Sequence, residues 1–153
     1  MERGPILKTR RALLLLLVLL LGASLGNAGS QSVVLIVRAD SSVSDLDPVT
    51  VRKLFLGVPV LVNGTPLHAI RNRSDARLDE IFLQEIVAMS QSAYDRQILI
   101  GVNRQGWVRP QEVQTNGRAL ARVYSDSNTV TFMWQRDVAH DARVRVIRVV
   151  WTD

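Results

Sequence analysis

Three arginines and one serine lie close together near the middle of the chain. Arg71 and Arg73 precede Ser74, and Arg77 follows three residues later. The guanidinium group of arginine is a planar donor that suits carboxylate and phosphate groups, and a serine hydroxyl can add another hydrogen bond. A predicted helix opens just after Ser74, so its unpaired N–H groups would face the same loop. Side chains of these types at this spacing suit the binding of a small anion.

A second interpretation of the same loop requires no ligand. Ser74 or Asp75 would cap the predicted helix through its side-chain oxygen. Arg71, Arg73 and Arg77 would then simply be solvated. The residues alone leave both interpretations open.

A short helix, a turn and a strand must position this loop. Asp47 can cap a helix whose first residue is Pro48, and Gly57 is suited to end it. The Asn-Gly pair at 63–64 predicts a tight turn, and residues 67–70 are expected to form a short strand that leads into Arg71.

The remaining elements alternate between strand and helix. We predict a fully buried strand over 33–37, helices over 76–89, 90–100 and 116–124, an irregular segment over 101–112, and strands over 129–134 and 143–151. Strands separated by helices predict an α/β layer fold.

The predicted final strand contains an irregularity. Its alternation of arginine and apolar residues breaks at Ile147 and Arg148, which predicts a bulge or the end of strand pairing. Its arginines favour an edge strand protected from aggregation, and a binding surface is the alternative.

The first 28 residues read as a signal peptide. Basic residues (Lys8, Arg10 and Arg11) precede an apolar run of about ten residues, which is too short to span a membrane. Small residues around Ala28 suit cleavage there, which leaves residues 29–153 as one domain. An uncleaved anchor is the alternative.

The charge balance and the lack of cysteine argue against several classes of protein. The chain has 19 basic and 14 acidic residues. Without residues 1–28 the balance is 15 to 13, which is too mild for a nucleic-acid-binding surface. All but one of these 15 are arginine, a bias that a GC-rich genome would also produce. There is no cysteine, so neither a disulfide nor a lipidated cysteine is available. These features favour a periplasmic protein with no stable membrane anchor after cleavage.

The order of motifs between residues 33 and 131 resembles the phosphate-binding proteins of ABC transporters, and especially their small single-lobe relatives. The resemblance rests on Phe55-Leu56-Gly57, on Asn63-Gly64 followed by Pro66, on the arginine-rich loop and on the long helix after it. It implies a single periplasmic-binding-like lobe with a mixed central sheet and flanking helices. It also implies binding of phosphate or another small oxyanion, linked to ABC transport.

The resemblance places the anion at Arg71, Arg73 and Ser74, with a contribution from the polar loop at Ser41 and Ser42. Asp75 and the alanine after it stand where the family usually has glycine and threonine. Because a single lobe encloses only half of an anion, a protein partner such as a transporter or envelope component would supply the other wall.

An accessory or protein-interaction module built on the same lobe is the alternative function. Under that alternative, the segment around Trp107 is the expected exposed contact. We expect no catalytic residues, cofactor or metal. The chain has no cysteine nucleophile, and His68 and His140 are far apart in sequence.

Overall fold

The computed structural model describes residues 31–153. The predicted signal peptide at 1–28 therefore lies outside the described residues. Within them, the chain forms a five-stranded sheet, a two-stranded hairpin and several helices. The elements in chain order are β1 (Ser32–Arg38), α1 (Pro48–Phe55), β2 (Leu61–Val62), β3 (Thr65–Pro66), β4 (His68–Asn72), α2 (Ala76–Ile81), a π-helical turn (Phe82–Ile86), α3 (Gln91–Gln105), β5 (Gln111–Val113), α4 (Asn116–Ser125), β6 (Thr129–Trp134), α5 (Gln135–Val138) and β7 (Val144–Thr152).

The large sheet has the strand order β5-β4-β6-β1-β7. Strand β4 pairs parallel with both β5 and β6, whereas β1 pairs antiparallel with β6 and with β7. The sheet is therefore mixed, as predicted. Its two edges differ in length, since β5 has three residues and β7 has nine.

Helices cover both faces of the sheet, so the core has two parts. The larger part includes buried side chains of α1, α2, the π-helical turn and α3, packed on Leu35, Phe132 and their neighbours. The smaller part includes α4 and α5, packed on Val34, Ile36 and Met133. Because successive strand residues point to opposite faces, the fully buried strand predicted at 33–37 can supply both parts.

The start of α1 and the turn between β2 and β3, which precede the arginine-rich loop, form as predicted. The Asp47 side chain accepts hydrogen bonds from the N–H groups of Val49 and Thr50, and Pro48 is the first residue of α1. In the hairpin turn, both Asn63 and Gly64 have positive φ angles, 51° and 79°. That combination is the one an Asn-Gly turn favours.

Three expectations about the middle of the chain are corrected. The helix predicted over 76–89 is α-helical only to Ile81 and then forms the π-helical turn, a change that apolar spacing cannot reveal. Helix α3 continues through Gly101 to Gln105 and ends at Gly106, which adopts the left-handed conformation that favours glycine (φ 68°). The segment predicted as irregular ends in β5, which pairs with β4.

The final strand confirms two predictions. Strand β7 lies at an edge of the sheet, and its register against β1 shifts at two places, one of them next to Ile147. Arg145 and Arg148 fold back to donate to carbonyl groups of the loop after β1, at Ser41, Val43 and Leu46. These arginines therefore tie the edge strand to the rest of the fold.

Candidate functional site

The loop after β4 lies at the carboxyl end of the three parallel strands, directly before α2. Asp75 caps this helix, because its Oδ1 accepts a hydrogen bond of 2.8 Å from the N–H of Leu78. Its Oδ2 accepts another of 2.7 Å from the indole N–H of Trp134. Of the two capping residues that the sequence left open, the structure selects Asp75.

Arg71 is completely buried, on the same face of the sheet as the larger core. Its Nε and Nη2 donate to Asp79 Oδ1 over 3.1 and 2.8 Å. A further bond from Nη2 reaches Gln91 Oε1 over 2.7 Å, and Nη1 donates to Glu112 Oε1 over 3.3 Å. The guanidinium therefore already has the carboxylate partners that its burial demands.

Two aromatic rings complete the surroundings of the Arg71 guanidinium. Its central carbon lies 4.5 Å from the ring centre of Phe82 and 4.9 Å from that of Tyr94. A cation over an aromatic face at this distance is attracted by the ring. The Tyr94 hydroxyl donates to the carbonyl of Phe55 over 2.9 Å, and burial raises the pKa of Tyr94 to about 12, although the charge of Arg71 opposes this.

Arg73 shares both carboxylates with Arg71. Its Nη2 lies 3.2 Å from Asp79 Oδ2 and its Nη1 lies 3.3 Å from Glu112 Oε2. Burial acts to lower the pKa of Arg73, but Asp79 and Glu112 outweigh it and raise that pKa above its ordinary value. Two arginines and two carboxylates thus form a group with no formal net charge, which we call the arginine–carboxylate cluster (Arg71, Arg73, Asp79 and Glu112).

Ser74 belongs to a separate hydrogen-bond network. Its hydroxyl donates to Asn116 Oδ1 over 2.9 Å, and Asn72 Nδ2 donates to the same oxygen over 2.8 Å. Asn116 Nδ2 in turn donates to Asp137 Oδ2 over 2.8 Å. The network joins the loop after β4 to the first residues of α4 and to α5, and it engages the Ser74 hydroxyl.

Ser41 and Ser42 are not close to this loop. They follow β1, which runs antiparallel to β6, whereas β4 runs parallel to β6. The carboxyl ends of β1 and β4 therefore lie at opposite ends of the sheet. Ser41 is buried and its hydroxyl accepts a hydrogen bond from the N–H of Val43, while Ser42 is exposed. The structure brings Arg71, Arg73 and Ser74 together but separates the two serines from them.

Sequence reasoning missed both carboxylates of the cluster. Asp79 lies in the helix predicted over 76–89, and Glu112 lies at the end of the segment predicted as irregular. A usable signal was present, since Arg71 lies two residues after Ala69 on the same face of a strand, and a buried arginine requires an acidic partner. Glu112 is the residue directly opposite Arg71 in the β4–β5 pairing.

His68, His140 and Trp107 are not part of the arginine–carboxylate cluster. His68 Nδ1 lies 2.8 Å from Asp126 Oδ2 at the surface, and His140 is exposed. In the part of the chain that the structure describes, no three His, Asp or Glu side chains converge as a metal site would require. Trp107 is half-buried against Gly101, so the exposed apolar side chain of its segment is Val108.

The fold can be compared with solved structures. A protein from Clostridium perfringens, named as a phosphate ABC transporter substrate-binding protein and holding phosphate, superposes with a TM-score of 0.58 at 17% identity. An ABC-type phosphate transport receptor from Vibrio cholerae gives 0.58 at 12%, and PstS from Borrelia burgdorferi gives 0.54 at 8%. The chain has the fold of one substrate-binding lobe.

The lobe is shorter than the proteins it matches. About four-fifths of this chain superposes on each of them (78, 78 and 77%), yet it covers only 45, 46 and 47% of their chains. No protein-family model matches the lobe, and neither does any curated protein sequence. Among residues 31–153, no helix has the length and apolar character needed to cross a membrane.

Proposed function

We propose that this chain is an exported, non-enzymatic accessory module that uses a substrate-binding lobe to contact a protein of the cell envelope. Under this proposal the lobe by itself holds no free phosphate. The arginine–carboxylate cluster carries the proposal. The guanidinium groups that would bind an anion are already paired with Asp79 and Glu112.

As partners of Arg71 and Arg73, the internal carboxylates are energetically favoured over a free anion. The internal pairs require no loss of translational freedom, whereas a dissolved ion must give up that freedom on binding. Phosphate would also have to displace Asp79 or Glu112 and leave a carboxylate without its cation. The contacts that remain at the surface are weak, since exposed ion pairs contribute about 0–1 kcal/mol each.

Export and a periplasmic location rest on the N-terminal pattern of basic residues followed by a short apolar run. The solved neighbours named as ABC transport proteins are consistent with that location. They also make a transporter component one candidate partner, beside other envelope proteins.

A second candidate function is oxyanion binding completed by a partner. The observation in its favour is that the neighbour from Clostridium perfringens holds phosphate. In this case a partner would supply the second wall, and Arg73, whose side chain is about one-third exposed, would turn from the cluster toward the anion together with Ser74.

Calorimetry on the full chain separates the two candidates. We expect no binding heat when phosphate or sulfate is titrated into the protein. Heat that is lost in Arg73→Gln or Ser74→Ala but kept in Arg77→Gln would overturn the proposal in favour of an oxyanion site. Arg77 is the matched control, because it pairs with Glu80 outside the cluster.

The partner is tested through the exposed apolar side of α3, where Leu99 is 56% and Val102 40% exposed. Cross-linking in envelope extracts is expected to yield a stable partner with the unaltered chain and to lose it with Leu99→Asp plus Val102→Asp. Val49→Asp, a change on α1 at a residue that is 63% exposed, is expected to keep it. Equal loss in both variants would mean that α3 is not the contact surface.

A further inference from the structure

A cavity of about 400 Å³ lies at the end of the sheet opposite the arginine–carboxylate cluster. It contacts the first residues of all three parallel strands: His68 of β4, Gln111 of β5 and Thr129 of β6. Pockets that hold small molecules in proteins usually have volumes of about 300–1,000 Å³. We call this space the amino-end cavity, and its size is sufficient for a small organic ligand.

The walls of the amino-end cavity are mostly apolar. Leu54, Val58, Leu67, Ala69 and Val108 line it, together with three prolines. Leu54, Leu67 and Ala69 also belong to the larger core, so this part of the wall is fixed by packing. Val108 lies at the opening with 73% of its surface exposed. An apolar wall of this kind suits a hydrocarbon or aromatic group.

Two arginines at the opening give the cavity its charge. Arg109 and Arg122 both line it, and within residues 31–153 neither guanidinium is ion-paired with a carboxylate. The acidic lining residue is Asp126, which is already engaged by His68, by the hydroxyl of Thr129 and by the N–H of Asn128. The opening therefore offers two free fork-shaped cationic donors beside an apolar interior.

The segment that carries Val108 and Arg109 is held in place by its neighbours. The Val108 N–H donates to the carbonyl of Gly57 over 3.0 Å. The ring of Trp107 fills the space beside Gly101, where a Cβ would lie 1.9 Å from the Trp107 ring. Because a backbone hydrogen bond and a packed ring hold this segment, this wall is formed before any ligand arrives, which lowers the cost of binding.

We infer that the amino-end cavity binds a small amphiphilic carboxylate, with its apolar body against Leu54, Leu67 and Ala69 and its carboxylate at Arg109 and Arg122. This inference is independent of the proposed function, which concerns the other end of the sheet and the exposed side of α3.

Octanoate is a suitable probe, because it combines a carboxylate with an apolar chain. In a titration of the full chain followed by amide NMR, we expect a dissociation constant of about 1 mM or below. The shifts are expected at Ala69, Ile70 and Val108. Octylammonium, with the opposite charge, and acetate, which lacks the chain, are expected to bind at least about tenfold more weakly.

Paired variants test the role of the two arginines. Arg109→Gln combined with Arg122→Gln is expected to weaken octanoate binding about tenfold, which corresponds to about 1.4 kcal/mol. Arg118→Gln is the matched control, since Arg118 lies on α4 like Arg122 but does not line the cavity. Equal binding of octylammonium, or unchanged affinity in the double variant, would overturn the inference.

A second pair of variants tests the location. Val108→Asp would place a carboxylate at the opening and is expected to abolish octanoate binding without unfolding the protein, because Val108 is exposed. Leu61→Asp makes the same change at a residue that is 64% exposed and lies outside the cavity lining, and it is expected to leave binding intact. Shifts centred on α3 in place of Ala69 and Val108 would also overturn the inference.

Discussion

The arginines at the two ends of the central sheet differ in whether they are paired with carboxylates. At the carboxyl end of β4, Arg71 is buried and its charge is matched by Asp79 and Glu112. At the amino end, Arg109 and Arg122 lie at the opening of an apolar cavity without a carboxylate partner among the described residues. An arginine inside the fold needs partners from the fold for its charge, whereas an unpaired arginine beside an apolar cavity is available to a ligand.

The difference shows that a segment can contain several arginines without offering their charges to a ligand. The end of β4 and the loop after it carry more arginines than the opening of the cavity. The charges of Arg71 and Arg73 are nevertheless neutralised by Asp79 and Glu112. Burial decides the outcome, because a buried cation without a partner would cost several kcal/mol, while an exposed cation is satisfied by water. Substitutions at the two ends of the sheet are therefore expected to differ in their effects.

The largest effect is expected from Arg71→Met. The change removes the buried cation but leaves Arg73 beside Asp79 and Glu112, so we expect the free energy of unfolding to fall by about 3 kcal/mol, the lower end of the range for breaking a buried ion pair. Urea denaturation measures this loss. Arg73→Met is the matched control, because Arg73 contacts the same carboxylates from a partly exposed position and is expected to cost no more than about 1 kcal/mol. Similar losses in the two variants would contradict the structural role assigned to Arg71.

Gly101→Ala is expected to have the next largest effect. A Cβ at this position would lie 1.9 Å from the ring of Trp107, so the ring and the cavity wall beyond it must move. Overpacking of this kind costs about 1–3 kcal/mol, and octanoate binding should weaken as well. Gly117→Ala adds a methyl group to α4 with no atom within 4 Å and should leave both properties unchanged or slightly improved. Unaltered thermal stability in Gly101→Ala would show that Trp107 does not anchor this wall.

Tyr94→Phe is expected to cost about 1 kcal/mol, because it removes the hydrogen bond to the carbonyl of Phe55. It should also change the response to alkali. The pKa of Tyr94 is raised to about 12 by burial, whereas an unfolded tyrosine ionises near a pKa of about 10. The stabilisation is present below pH 10 and is lost as the pH rises toward 12. Stability measured between pH 9 and 12 should fall less steeply in Tyr94→Phe, and parallel curves would contradict this.

The smallest effect is expected from Asp126→Asn at the amino end. Burial opposes ionisation of Asp126, but hydrogen bonds from Asn128, His68 and Thr129 outweigh it and hold the pKa of this carboxyl below its ordinary value. Its stabilisation is therefore present above pH of about 4 and is lost as the pH falls through the folded-state pKa. At pH 7 the variant should be less stable by under about 1 kcal/mol, since the pair with His68 is largely exposed.

Denaturation at pH 7 and below pH 3 checks the Asp126 prediction. The difference between Asp126→Asn and the unaltered chain should shrink as the pH falls. Asp153→Asn, an exposed change outside both ends of the sheet, is expected to show no such convergence. A difference that persists unchanged in acid would mean that the carboxylate charge of Asp126 is not the stabilising feature.

Local sequence patterns were sufficient for much of the fold. The buried strand at 33–37, the Asp47 cap, the Asn-Gly turn and the strand Thr129–Trp134 each depend on neighbouring residues, and each was predicted. Strand β5 was missed, because three residues carry too little periodicity to stand out. The continuation of α3 through Gly101 was missed because a glycine can lie within a helix or end it, and this helix ends only at Gly106.

Only some features of the candidate anion site could be predicted from the local sequence. The sequence alone predicted that Arg71, Arg73 and Ser74 lie between a strand and a helix capped within the loop, although β4 continues to Asn72 and so includes Arg71. Only the tertiary structure decided that Glu112, 41 residues away, lies opposite Arg71, and that Ser41 and Ser42 lie at the other end of the sheet. The physical reason is that helix caps and turns depend on hydrogen bonds between near neighbours. The partner of a buried charge and the direction of a strand are instead set by pairing between distant segments.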